Sequence, residues 1–206
     1  MTSETVPATS PTRRAVLRRA ALLPMVALLS ATRARAMEIA DTPVPDTYHL
    51  DGRTLTLNGA ALRTIPVLGI KTYFVALYLP QRMHDSGSIL QSYGPKVAVV
   101  HYLHSGTKQQ VQDRYRTGEQ NNCGHGECDT SLQADFERLV NSVVAVEPGD
   151  ETVYAVTDKG LRVSFNHGPF QPFGQQALGN LIINGFIGPH APTPEFRAAL
   201  LGLSAS

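Results

Sequence analysis

Two nine-residue runs constrain the fold of this chain more than any other feature. Residues 71–79 read KTYFVALYL and residues 96–104 read KVAVVHYLH. As a strand, the first places Tyr73, Val75, Leu77 and Leu79 on one face and Phe74, Ala76 and Tyr78 on the other. Both faces are apolar, and the second run behaves the same way. Such strands belong in a sheet whose two faces are both covered.

Turn and cap signals fill in the rest. Asp51-Gly52 separates Tyr48-His49-Leu50 from residues 53–57 (RTLTL) and predicts a type I′ hairpin. Asn58-Gly59 predicts a second tight turn. A further hairpin is expected over 151–156 and 161–166, with its second strand half-exposed. Helical patterns fall at 86–93, at 107–120 (polar, carrying Val111 and Tyr115) and from Thr130 onward. Thr130-Ser131-Leu132-Gln133 reads as a capping box ahead of an apolar stripe of Leu132, Phe136, Leu139, Val140 and Val143. Glu147-Pro148-Gly149-Asp150 stops that helix. Residues 175–187 are helical in pattern, and Thr193-Pro194 opens a last helix that ends near Leu201-Gly202. Neighbouring strands with tight turns predict an α+β domain over 47–206: a largely antiparallel β-sheet covered on one face by a layer of helices. Residues 37–46, with two prolines, form an extended lead-in.

Charge divides the chain unevenly. The formal net charge is +1, yet residues 1–36 hold six arginines and only Glu4 as an acid, leaving 12 Lys+Arg against 16 Asp+Glu in the other 170 residues. Residues 1–36 read as a cleaved export signal. Arg13-Arg14-Ala15-Val16-Leu17 leads into an apolar run over 20–31, and Ala34-Arg35-Ala36 fits a small-x-small cleavage site. The arginine pair points to the twin-arginine export machinery as partner of the precursor. The run of 12 residues is short of the ~20 a spanning helix needs, so no integral membrane protein is expected after cleavage. The expected compartment is periplasmic or secreted. A mildly acidic mature chain argues against nucleic acid as partner.

Cys123 and Cys128 frame the phrase Cys-Gly-His-Gly-Glu-Cys. In an oxidising compartment they are expected to form a disulfide. Metal binding with His125 and Glu127 is the weaker alternative, because zinc spacing is missing. His101 and His104 fall on opposite faces of a strand, poor geometry for a shared metal. No metal site and no cofactor motif is assigned, and there is no phosphate loop or hydrolase elbow.

Several phrases in order resemble the chalcone isomerase-like family, in particular its bacterial exported branch. They are 57–63 (LNGAALR), 73–79 (YFVALYL), Gly94-Pro95-Lys96, Glu147-Pro148-Gly149-Asp150, 160–163 (GLRV) and Leu200-Leu201-Gly202. The likeness covers about 47–202. It implies an antiparallel sheet faced by helices, and either chalcone cyclisation or fatty-acid binding in one cleft. The arginine the enzymes use is matched by Arg63, and their strand threonine by Tyr73. Their helical Tyr and Asn find no match in 107–114, so no catalytic residue is assigned. From the residues alone, Arg63 on an apolar strand face needs an anion, either a ligand or a structural partner, unless its stem lies flat with the head in water. Tyr73 offers a phenol donor or ordinary core packing. With the resemblance, the ligand-binding residues are Arg63 and Tyr73, and the ligand is a small amphipathic carboxylate such as a fatty acid. The alternatives are an isomerase (intramolecular lyase) and an envelope protein without a small ligand.

Overall fold

In the computed structural model, which describes residues 37–65, 67–123 and 128–203, the chain enters its main sheet through the Asp51-Gly52 turn. Both residues adopt left-handed backbone (φ 49° and 76°) and fold β3 (Thr47–Leu50) back onto β4 (Arg53–Ile65). The export signal assigned to 1–36 lies outside the described residues. Residues 37–44 form a hairpin of β1 (Met37–Ile39) and β2 (Thr42–Val44) turning at Ala40 and Asp41.

The remaining strands follow as a meander: β5 (Ile70–Leu79), β6 (Lys96–Tyr102), β7 (Glu151–Thr157), β8 (Gly160–Phe165) and β9 (Gln171–Gly174). The order is β3-β4-β5-β6-β7-β8-β9, with every neighbouring pair antiparallel. Helix α1 (Ser86–Gln91) connects β5 to β6. Helices α2 (Lys108–Cys123) and α3 (Thr130–Ser142) connect β6 to β7, and α4 (Gln176–Ile187) and α5 (Pro194–Leu200) follow β9. Helix α4 packs on β7 and β8, α5 on β4 and α3 on β9, and all four other helices touch α4. This is the expected α+β architecture.

The sheet is curled into a half-barrel. Arg162 of β8 is ion-paired with Asp51 in the β3–β4 turn, so strands far apart in sheet order meet. One sheet face is covered by the curl together with β2, Phe74, Ala76, Tyr78, Val97, Val99 and Ala155 packing against Leu50, Leu55 and Leu57 of the sheet and Val44 of β2. The helices cover the other face, where Val75, Leu77, Ala98, Val100, Val156 and Val163 meet Phe136, Leu139, Leu178, Ile183 and Phe196. Both faces of the two apolar runs are thereby buried.

Three expectations need correction. Asn58-Gly59 is no turn: β4 continues through it with a bulge. The bulge reverses which parity faces the helices. Leu55 and Leu57 point into the curl before it, Ala60 after it, and Ala61 points to the helix side. Buried Asn58 donates from Nδ2 to the Leu200 carbonyl (2.8 Å) and accepts the Met83 N–H at Oδ1 (2.7 Å). A Cβ on Gly59 would overlap the carbonyl oxygens of Ala199 and Leu200. The Asn-Gly pair thus docks α5 on the sheet. Second, the cap of α3 is Asp129, whose carboxylate accepts the Leu132 N–H, one residue before the expected Thr130. That helix ends at Ser142, ahead of the Pro-Gly stop. Third, β8 is more buried than half-exposed, since Ser164 is buried and donates to the Gly168 carbonyl.

Candidate functional site

The bulge at Asn58-Gly59 aims Arg63 at the helix side of the sheet. There a cavity of about 850 Å³ lies between strands β4 to β7 and helices α2 and α4. Arg63 and Tyr73 both line it and are directly opposed across the β4–β5 ladder. Tyr73 in turn opposes Tyr102 on β6, so the three side chains form a row across adjacent strands. The structure therefore brings together the two ligand-binding residues expected from sequence.

Helix α2 supplies what the sequence reading missed. Val111, Arg114 and Tyr115 share one face of it at i, i+3 and i+4, and all three line the cavity. The Arg114 guanidinium carbon sits 6.0 Å from the centroid of the Tyr73 ring. Gly106 makes room for it, because a Cβ there would lie 2.9 Å from Arg114 Nη2. Among the described residues no carboxylate forms an ion pair with Arg63 or Arg114. Neighbouring Asp113 instead accepts a hydrogen bond from Gln109. Two guanidinium groups thus lie with one phenol in the cavity lining, an arrangement chemically able to receive an anion.

The interior is aromatic. Tyr115 and Tyr154 touch through their hydroxyls, and Phe136 and Phe186 pack around them. Burial pushes the phenols of Tyr102, Tyr115 and Tyr154 above their ordinary pKa, so they are neutral donors. Burial raises Tyr73 as well, with the positive charges of Arg63 and Arg114 working against it. The lining of α2 extends from Gln110 to Asn122, about 18 Å of helix rise. At its far end Asn184 of α4 donates to Asn122 (2.7 Å). The cavity is thus a slot with Arg63 and Arg114 at one end, an aromatic middle, an apolar flank from Leu181, Ile182 and Phe186, and a polar α2 wall that includes Asp113 and Glu119.

Cys123 is the last residue of α2, and Cys128 lies just before α3 with its Cα 5.2 Å away and its sulfur within bonding distance. His125 and Glu127 lie outside the described residues. His101 stacks on Phe74 on the curled side, with Nδ1 3.1 Å from Glu151, whereas His104 lines the cavity mouth. Among the described residues no helix is long and apolar enough to cross a membrane.

A family model described as chalcone isomerase-like matches residues 36–202. Among solved structures, the crystal structure of a fatty-acid binding protein from Arabidopsis thaliana superposes with a TM-score of 0.63 at 13% identity. The match covers 81% of this chain and 95% of that one. No curated protein matches the chain.

Proposed function

Because the chain belongs to the chalcone isomerase-like family, we propose that it is an exported binding protein for a small amphipathic carboxylate of the fatty-acid class. The carboxylate rests between the Arg63 guanidinium and the Tyr73 hydroxyl, with Arg114 as a second cation, and the tail runs along α2 over the aromatic residues. The observation that carries this reading is the pair of arginines, without carboxylate ion-pair partners among the described residues, lining an elongated cavity with an aromatic and apolar side. The solved relative, a fatty-acid binding protein, supports the ligand class.

Export rests on the sequence of residues 1–36. We assign them as a cleaved twin-arginine signal and place the mature chain in the periplasm or medium. Cys123 and Cys128 then carry a disulfide that ties the end of α2 to the start of α3.

Two measurements test the ligand. Mass spectrometry of the protein purified from cells is expected to find a bound amphiphilic acid. Titration with a long-chain fatty acid is expected to show affinity that falls about 10- to 100-fold in Arg63→Ala, the value of a hydrogen bond to a charged group. No bound acid, together with equal affinity in both proteins, would overturn the reading.

A further inference from the structure

The turns of the molecule differ in one respect. Ala40-Asp41, Asp51-Gly52 and Asp158-Lys159 put polar or charged groups at the tips of their hairpins, as turns in contact with water do. The β4–β5 tip does the opposite. Val67 is 92% exposed and Leu68 65% exposed, and Ile65 at the base of the turn is 38% exposed. These apolar groups are held outward by a defined turn. The Leu68 N–H donates to the Ile65 carbonyl (3.2 Å), and Gly69 takes the left-handed backbone (φ 64°) that closes the turn.

Two further observations say what this tip meets. Ile65 and Ile70, paired across the hairpin, also line the cavity, so the exposed apolar surface continues from the cavity wall past its mouth. The charge of the hairpin is the reverse of that of residues 37–206 taken together. Residues 63–73 contain Arg63 and Lys71 and no acid, within a mature chain of 12 basic and 16 acidic side chains. Lys71 is exposed beside the tip. An apolar tip with an adjoining cation fits the boundary between phosphate headgroups and acyl chains.

We propose that the β4–β5 tip is a membrane-docking element. Val67 and Leu68 enter the surface of an anionic phospholipid bilayer, Lys71 lies at the lipid phosphates, and the cavity mouth opens at the lipid surface. An amphiphile can then pass between bilayer and cavity along Ile65 and Ile70 without crossing water. Docking stands on the tip itself, and only the transfer step rests on the ligand proposed above.

The test uses the purified protein and vesicles of phosphatidylglycerol mixed with phosphatidylethanolamine. Wild type is expected to cosediment, and Val67→Asp combined with Leu68→Asp to lose about tenfold or more in partitioning, with an unchanged circular dichroism spectrum. Lys71→Ala is expected to lose roughly fivefold, and added salt to weaken the wild type. Because the chain has no tryptophan, Leu68→Trp provides a single reporter. Its emission is expected to shift to the blue when vesicles are added, while a Lys159→Trp reporter at a polar turn stays unchanged. Absence of vesicle binding, equal binding by the double variant, or equal shifts at both reporters would overturn docking. A protein that docks by its tip yet takes up no fatty acid would overturn the carrier reading alone. One that takes up fatty acid from solution and ignores vesicles would overturn docking alone.

Discussion

On the curled face of the sheet, Phe74, Ala76, Val97, Val99 and Ala155 pack against Leu50, Leu55 and Leu57 of the same sheet and against Val44 of β2. On the other face the cover comes from separate helices, and one of these, α2, buries only Val111. Between that helix and the strands, Arg114 lies near the Tyr73 ring and Tyr115 meets Tyr154, and the cavity is lined by these residues. The curled face is closed by apolar packing that includes the rings of Phe74 and Tyr78. A face covered by a polar helix can hold a ligand. Both faces hold buried core, and only the helix-covered face also carries the cavity.

The most direct way to break this division is to truncate adjacent residues of β5 that point to opposite faces. Phe74 is buried in the curl and stacked on His101, with ring centroids 4.8 Å apart. Phe74→Ala is expected to cost about 3–5 kcal/mol in urea unfolding. Tyr73 faces the cavity and its hydroxyl makes no hydrogen bond among the described residues. Tyr73→Phe is expected to leave stability within about 0.5 kcal/mol of wild type and to weaken fatty-acid binding about tenfold or more, the value of a hydrogen bond to a charged carboxylate. Equal stability losses in the two variants would erase the distinction between the faces.

A smaller effect is expected where the two faces exchange. Asn58 satisfies the Leu200 carbonyl and the Met83 N–H from inside β4. Asn58→Ala leaves both buried groups without their partner and is expected to cost about 2–3 kcal/mol. If the bulge then relaxes, Arg63 loses its aim into the cavity and ligand affinity falls as well. Affinity that survives the full stability loss would show that β5, and not the bulge, fixes Arg63.

The outcome at Asn58-Gly59 also shows what the sequence could reveal. Asn-Gly is a strong local turn signal, and only contact with Ala199 and Leu200, some 140 positions along the chain, makes it a bulge. The two-sided apolar runs at 71–79 and 96–104 were legible because alternation is a local property of a strand. So was Arg63, as a charge on an apolar strand face. The sequence showed that both faces were covered, but not that the sheet would curl over one of them, since that depends on pairs such as Arg162 with Asp51. Arg114 went unread because α2 looks polar all round. Its inward face is marked only by Val111 and Tyr115, three residues before it and one after.

The smallest expected effect concerns protons, and it again separates the faces. Tyr78, on the curled side, donates its hydroxyl to the Pro45 carbonyl (3.0 Å). Burial first, and then the negative charge of Glu151, raises its pKa to about 12. The unfolded chain ionises tyrosine near pH ~10. Below that pH the contribution of this phenol to stability is fully present, because both states hold the proton. As pH rises from about 10 to about 12 the unfolded state alone releases it, and stability falls. Cavity-side Tyr73 is raised too, but Arg63 and Arg114 oppose the shift, and a bound carboxylate would offset their charge. Urea unfolding between about pH 9 and 12 is therefore expected to show falling stability, with a shallower slope in Tyr78→Phe whether or not fatty acid is present. In Tyr73→Phe the slope should differ from wild type more strongly with ligand than without it. A slope unchanged by Tyr78→Phe would mean that the curled face does not hold this phenol away from water, and the contrast between a sealed face and a binding face would lose its electrostatic support.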